Sequence, residues 1–173
     1  MSRITKWLIA ALVVFAAGVT VGSFSAVSTE PKLLYDYFAG LAGGEIRILT
    51  SSAVISALTV WTVLFFSAFF KFGAITTAIA VGMRGFTDGY SVTAILRILG
   101  TKGVGMCFLD ILGVPLVLIM AATVMCVLSA EKKNLTSYLA VSGLCLLLLL
   151  GASLLTSAVS SSLAGFCLKG ITF

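Results

Sequence analysis

Residues 72–100 read FGAITTAIAVGMRGFTDGYSVTAILRILG, and this stretch decides what kind of fold the chain adopts. It is apolar as far as Met83, carries Arg84 and Asp88 among glycines, and becomes apolar again on both sides of Arg97. Each apolar half is too short to cross the roughly 30 Å hydrocarbon core of a bilayer, whereas the whole stretch is long enough. It therefore predicts one membrane span with a charged waist, or else a broken, re-entrant segment made of two half-helices.

The composition of the whole chain supports a lipid environment. Of its 173 residues, 60% are hydrophobic and 10% are charged, and the mean hydropathy is +1.20. A soluble domain carries about 25% charged residues, so this chain cannot cover a water-facing surface. It contains no histidine, which excludes Ser-His-Asp triads, Cys-His dyads and His-ligated metal sites. We therefore expect a membrane protein that is not an enzyme and uses no cofactor or metal.

Apolar segments follow one another almost from end to end, which predicts an all-α, polytopic transmembrane bundle in a single domain, 1–173. About five segments are expected, with approximate limits 7–27, 53–70, 72–99, 103–130 and 137–168. At about 1.5 Å per residue the last segment exceeds a normal bilayer, which implies tilt, a break near Gly151 or an emergent end. All four cysteines lie inside apolar stretches, where we expect them to pack as small hydrophobes.

The distribution of charge bears on the orientation of the chain. The net charge is +5, and the basic residues stand mostly singly at the ends of apolar segments, which is typical of topology signals and lipid contacts and not of nucleic-acid binding. Arg3 and Lys6 precede the first segment and favour a cytoplasmic N-terminus. Phe24-Ser25-Ala26 resembles a signal-peptide cleavage site, but the segment is long enough to cross, so we favour an uncleaved first span.

Residues 31–51 form a mixed stretch that contains both apolar and charged residues. Leu34, Phe38 and Leu41 are spaced i, i+4, i+7, which places them on one face of a helix. Two interpretations remain open. The stretch is a short interfacial helix that caps the bundle, or this face docks an extracytoplasmic protein partner.

Small residues recur at helical spacing in two of the apolar segments. Gly18 and Gly22 form a GxxxG pair in the first. A row with a spacing of four residues marks the last: Ser153, Ser157, Ser161 and Gly165. Because small side chains allow another helix to approach closely in lipid, we expect both rows to be helix contacts. The contact of the second row lies within the chain, or with a partner or a second copy in a homo-oligomer.

The charged residues inside apolar segments define the candidate site. An ionisable side chain at mid-bilayer costs about 2.5–3.5 kcal/mol on insertion scales, so such residues are usually paired or functional. The spacing of Arg84 and Asp88 allows them to pair on one helix. Asp110, in the fourth segment, has no evident partner in the sequence, and Arg97 completes the group. The four residues predict a buried cluster that joins the third and fourth segments, or a polar pathway for an ion or solute.

The glycine-rich stretch resembles the stage II sporulation protein M family. The resemblance covers most of the chain in layout, and its specific part lies between Phe72 and Leu118. The chain departs from the family pattern at 108–110, where Phe-Leu-Asp stands in place of Pro, a polar residue and Asn, so the fourth-segment signature is not carried over. The matching residues are Arg84, Gly85, Phe86, Gly89, Tyr90, Ser91, Gly100, Lys102, Gly103, Gly113, Val114 and Pro115.

This resemblance implies a scaffold of the bacterial cytoplasmic membrane. In sporulating members of the family, the protein anchors the peptidoglycan-degrading stage II sporulation proteins D and P, which remodel the septal wall during engulfment of the forespore. The alternative from the residues alone is a small permease-like transport subunit, in which Arg84, Asp88 and Asp110 line a polar route at a broken helix. A third interpretation is an intramembrane aspartyl protease with Asp88 and Asp110 as its catalytic pair. The sequence shows no protease signature, which disfavours it.

Overall fold

A computed structural model of the chain describes residues 3–42, 50–67, 69, 73–105, 107, 113–130 and 135–168. In this part of the chain there are six α-helices and no strand, so the all-α prediction is confirmed. A 3₁₀ turn, Gly100–Gly103, follows the fourth helix. The helices are α1 Arg3–Ser28, α2 Pro31–Ala42, α3 Thr50–Ser67, α4 Gly73–Leu99, α5 Val114–Ala130 and α6 Leu135–Leu168.

Three expectations about helix continuity are decided by these bounds. The third segment is one unbroken helix, α4, so the half-helix alternative is wrong. Gly151 lies inside α6 and does not break it. Of the predicted fourth segment, 103–130, Val114–Ala130 forms α5, and short helical pieces lie near its start, whereas residues 108–112 lie outside the described residues. Pro115 explains the start of α5, because proline has no amide hydrogen to donate and is tolerated in the first turn of a helix.

Two of the helices have the length and composition of membrane spans. These are residues Ile4–Ser28 of α1 and Thr136–Val159 of α6. Val54–Ser67 and Val114–Leu128 are shorter apolar helices. A membrane location is therefore supported, on the length and apolar character of these helices alone.

The contacts between helices fix their relative directions. Gly18 of α1 lies against Gly82 of α4, and Val19 lies against Gly89, so the two helices run parallel. The C-terminal half of α5 packs beside the N-terminal halves of α1 and α4, around Cys126, so α5 runs opposite to both. The end of α3 packs on the start of α4, where the hydroxyls of Ser67 and Thr77 are 2.9 Å apart, so α3 runs opposite to α4. Together with the antiparallel pairing of α3 and α6 described next, these contacts make the direction alternate through α1, α3, α4, α5 and α6.

Aromatic side chains join α3 to α6 in an antiparallel pair. The indole Nε1 of Trp61 donates to the backbone carbonyl of Ser142 at 2.9 Å, and the hydroxyl of Tyr138 donates to the carbonyl of Phe65 at 3.0 Å. The ring of Phe65 stacks on Trp61, with the ring centroids 5.1 Å apart. These two hydrogen bonds satisfy the polar atoms of two large aromatic residues that would otherwise be left unpaired in an apolar region.

The core is divided into two clusters of buried side chains. The larger lies among α3, α4, α5 and α6 and includes Leu64, Val81, Leu118 and Leu149. The smaller joins α2 to the C-terminal half of α4 and to Cys107. Cys107 and Cys145 are buried and Cys126 is half-buried, as expected for residues that fill space, whereas the side chain of Cys167 lies outside the described residues.

Glycines bring the backbones of α1 and α4 into direct contact. A β-carbon on Gly18 would overlap the carbonyl oxygen of Gly82, and one on Gly22 would overlap that of Phe86. The relation is reciprocal, because a β-carbon on Gly85 or Gly89 of α4 would in turn overlap backbone oxygens of α1. The predicted glycine pair of the first segment thus packs against a second glycine row inside the same chain.

The second predicted small-residue row is described in part. The side chains of Ser153 and Ser157 are buried on α6, as expected for a helix contact within the chain. The side chains of Ser161 and Gly165 lie outside the described residues.

Gly22→Ala is expected to destabilise the fold, because the added methyl group overlaps the Phe86 carbonyl and forces α1 away from α4. Overpacking of this kind costs about 1–3 kcal/mol. The free energy of unfolding in detergent micelles measures the effect. Gly143→Ala is the matched control, since no atom lies within 4 Å of the added carbon there. Equal stability of the two variants would show that the glycine contact does not hold α1 in place.

Candidate functional site

Arg84 and Asp88 form an ion pair in the middle of α4. The Nη2 and Oδ1 atoms are 3.1 Å apart, and Nε donates to Oδ2 at 3.3 Å, so the guanidinium meets both carboxylate oxygens. The two side chains are 23% and 7% exposed. Arg84 is about 16 Å along the axis from the start of α4, a helix about 40 Å long. The predicted pairing on one helix is therefore present, at a central and largely buried position.

The pair of Arg84 and Asp88 has a structural explanation that requires no chemical reaction. Two charges removed from water are tolerated when geometry lets each neutralise the other. Because both residues belong to α4, the pair by itself does not join α4 to another helix. Asp110, which we expected beside them, lies outside the described residues. The proposed junction between the third and fourth segments therefore stays a prediction.

Arg97 performs a different task at the far end of the same helix. Its Nη1 donates to the backbone carbonyls of Ala26 at 2.6 Å, Val27 at 3.1 Å and Thr29 at 3.2 Å. These carbonyls belong to the C-terminal end of α1, where carbonyls lack partners within the helix and the helix dipole favours a cation. Arg97 thus caps α1 from α4.

The expectation that Arg97 joins the cluster of Arg84 and Asp88 is wrong. Thirteen residues separate Arg97 from Arg84, which is about 20 Å along a helix. The guanidinium of Arg97 turns instead to a helix terminus that offers several acceptors at once. The charged residues of α4 therefore form two sites, a central ion pair and a terminal cap.

The glycine-rich residues that resemble the sporulation family lie between these two sites and hold the helices together. Gly85 and Gly89 admit the backbone of α1. The hydroxyls of Tyr90 and Thr29 are 3.2 Å apart, and Ser23 donates to the carbonyl of Gly89 at 3.4 Å. The motif therefore forms the seam between α1 and α4.

The remaining motif residues shape the end of α4 and the start of α5. Gly100 has a positive φ of 56°, a backbone conformation that favours glycine. A β-carbon on Gly103 would press on the side chain of Ile95. Phe86 stacks on Tyr90, Ser91 is half-buried, and Pro115 is fully buried. The side chain of Lys102 lies outside the described residues.

The predicted docking face on α2 is rearranged by the structure. Leu34 is 6% exposed and packs with Ala94, Ile95 and Leu99 of α4, so it cannot contact a partner. The side chains of Phe38 and Leu41 lie outside the described residues. Leu34 thus attaches α2 to the bundle, as the capping interpretation requires.

Sequence reasoning missed two features of this region, the cap formed by Arg97 and the hydroxyl pair of Tyr90 and Thr29. A signal for the cap was present. If all five predicted segments cross the membrane, the first and the third run in the same direction, so Arg97 and the end of the first segment lie on the same side. A cation near a helix end with unsatisfied carbonyls is a candidate cap.

Comparison with known proteins gives no match from which a family could be assigned. No protein-family model matches it, and neither does any curated protein or solved structure. Among the described residues, no group of three or more His, Cys, Asp or Glu side chains is placed to hold a metal ion. The function therefore has to be inferred from the residues themselves.

Arg97→Gln is expected to lower the free energy of unfolding by about 1.5–3 kcal/mol, the usual worth of hydrogen bonds to a charged group. The amides in the last turn of α1 should exchange with deuterium faster, because that turn loses its cap. Arg97→Lys should recover much of the loss, since all three bonds start from one nitrogen, Nη1, and an ammonium nitrogen carries three donors. Unchanged exchange in Arg97→Gln would refute the cap.

Arg84→Gln and Asp88→Asn are each expected to destabilise the chain by about 3–5 kcal/mol, because each leaves a charge without its main partner. The double variant should lose less than the sum of the two, and the difference measures the coupling between the residues. Unfolding in micelles gives the stabilities. Additive effects would show that the pair contributes nothing, and loss of solute flux at normal stability would favour a transport role.

Proposed function

We propose that this chain is a non-enzymatic scaffold of the bacterial cytoplasmic membrane that crosses the bilayer five times from a cytoplasmic N-terminus. The alternating directions of α1, α3, α4, α5 and α6 support five crossings, because consecutive spans must run in opposite directions. The parallel pairing of α1 and α4 agrees with this layout. The basic residues Arg3 and Lys6 at the start of α1 support the cytoplasmic N-terminus.

One observation carries the scaffold role: both arginines of α4 bond to other groups of the protein itself. Arg84 bonds to Asp88, and Arg97 bonds to the end of α1. A polar transport route would instead require charged groups that face a passage. The cavity between α1, α4 and α5 is lined mainly by apolar and hydroxyl-bearing residues, and neither Arg84 nor Asp88 belongs to its lining.

The specific form of the proposal follows the resemblance to stage II sporulation protein M. In this form the chain anchors wall-remodelling proteins, such as the stage II sporulation proteins D and P, at the outer side of the membrane. The seam between α1 and α4 supports it, because it holds the ends of both helices on one side. Helix α2 lies at that side, attached to α4 through Leu34.

The exposed face of α2 is the docking surface in this proposal. Leu33 is 62% exposed, and Tyr35 is also exposed. Lys32 and Asp36, four residues apart and exposed as well, share the middle of this face, with Leu33 on one side and Tyr35 on the other. The surface thus offers a partner two apolar contacts with a pair of opposite charges between them. The predicted docking residues thus shift by one position, from the buried Leu34 to its neighbours.

Affinity purification from native membranes tests the scaffold role. The wild-type chain is expected to recover peptidoglycan-remodelling proteins, and the double variant Leu33→Asn, Tyr35→Ser to recover several-fold less. Ile4→Asn is the matched control, because Ile4 is equally exposed but lies at the opposite end of the bundle. Recovery of a transport ATPase in place of wall enzymes would contradict the proposal, as would a double variant that recovers as much as the wild type.

A further inference from the structure

A cleft opens on the surface of the bundle between α1 and α4 and continues inward to α5. Its outer part is a shallow, open groove lined by Val14 and by residues of α4 from Ala74 to Met83. Its inner part, of about 50 Å³, ends against Thr123 of α5. Val14, Ala74 and Ala78 line both parts, so the two are continuous.

The walls of the cleft are apolar. Small side chains such as Ala78 leave the space open between larger neighbours. The two threonines of the inner part have hydroxyls that are already engaged, Thr77 with Ser67 at 2.9 Å and Thr123 with the carbonyl of Ile119 at 2.8 Å. The cleft therefore suits a hydrocarbon ligand, because a polar ligand would lose its hydrogen bonds to water without replacement.

A basic residue precedes the cleft-lining residues on the same face of α1. Lys6, Ala10 and Val14 are spaced i, i+4, i+8 and share one face of α1. Ala10 and Val14 line the cleft, and Lys6 is exposed one turn below them. Trp7 also lines the inner part, and tryptophan is enriched at the boundary between headgroups and hydrocarbon. A charged headgroup at Lys6 would thus continue into a chain in the cleft.

The length of the cleft matches one leaflet of a bilayer. Ala74 and Met83 are nine residues apart, which is about 14 Å along α4. Half of the hydrocarbon core is about 15 Å thick. A lipid tail that enters beside Lys6 and follows α4 would therefore end near the middle of the membrane.

We propose that this cleft binds one acyl chain of an anionic phospholipid from the inner leaflet, with Lys6 pairing with the headgroup phosphate. The charge of Lys6 selects an anionic lipid, and the apolar walls select its tail. This inference rests on the proposed insertion with a cytoplasmic N-terminus. In addition to its scaffold role, the protein would hold one lipid where α1, α4 and α5 meet.

Fluorescence quenching in phosphatidylcholine vesicles tests the lipid site. A minor fraction of the lipid carries bromine on its acyl chains, either as phosphatidylglycerol or as phosphatidylcholine. The chain has two tryptophans, so the signal of Trp7 is the difference between the wild type and Trp7→Phe. We expect saturable quenching of Trp7 with about a five-fold preference for phosphatidylglycerol, as one lysine near the headgroups provides.

Two pairs of variants separate the headgroup contact from the tail contact. Lys6→Gln should reduce the preference to about one, whereas Lys32→Gln, on exposed α2, should keep it. Ala78→Phe should abolish the saturable quenching by filling the cleft, whereas Ala16→Phe, on an exposed position of α1, should not.

Three results would overturn the lipid site. The first is wild-type quenching that follows the fraction of each lipid without preference. The second is quenching that falls as the protein-to-lipid ratio rises, since a second copy of the chain would then occupy the cleft. The third comes from impermeant thiol labelling of Glu30→Cys and Thr101→Cys in the same vesicles. Labelling on different sides overturns the insertion and the site together, whereas same-side labelling without lipid preference overturns the site alone.

Discussion

The backbone contact between α1 and α4 is the constraint on which the rest of the structure depends. Long apolar side chains of α1 are exposed, including Val13 at 62% and Phe24 at 76%, so little of this helix is buried. Within a bilayer, burial of such side chains against another helix gains little, because lipid tails are as apolar as leucine. The association of α1 with α4 therefore depends on close packing of their backbones. Gly22 provides it from α1, and Gly85 and Gly89 provide it from α4.

The close contact also explains the placement of the polar side chains. Once the two helices run parallel with their backbones touching, the end of α1 comes within reach of the last turns of α4. Tyr90 can then meet Thr29, and Arg97 can reach the carbonyls of Ala26 and Val27. Each of these bonds gives a polar group at the end of α1 or in the last turns of α4 a partner within the protein. The glycine contact and the cap are therefore parts of one arrangement, since the first positions the second.

The sequence predicted features that depend on local spacing and missed those that depend on the choice of partner. The all-helical fold, the pair at spacing four between Arg84 and Asp88 and the small-residue face of α1 all follow from helical periodicity. The identity of the helix that packs against this face does not follow from periodicity, because a glycine row indicates only that some helix approaches closely. Leu34 illustrates the same limit, since an apolar face on α2 suits the protein's own core and a foreign surface equally well.

Hydropathy alone also could not place the start of α5, since the apolar residues before Val114 score as well as those within the helix. The prediction for Arg97 was wrong for a related reason. Charged residues were grouped because each is costly to place inside the membrane, whereas the direction of the helices decides which groups they contact. Glycine packing, the hydroxyl pair and the guanidinium cap join α1 and α4 along their length, while Trp61 and Tyr138 join α3 and α6. Alternating access would require one such pair to move against the other. That movement would shear the core in which Val81 and Leu118 are buried, and these contacts therefore support the proposed scaffold role over that of a moving carrier.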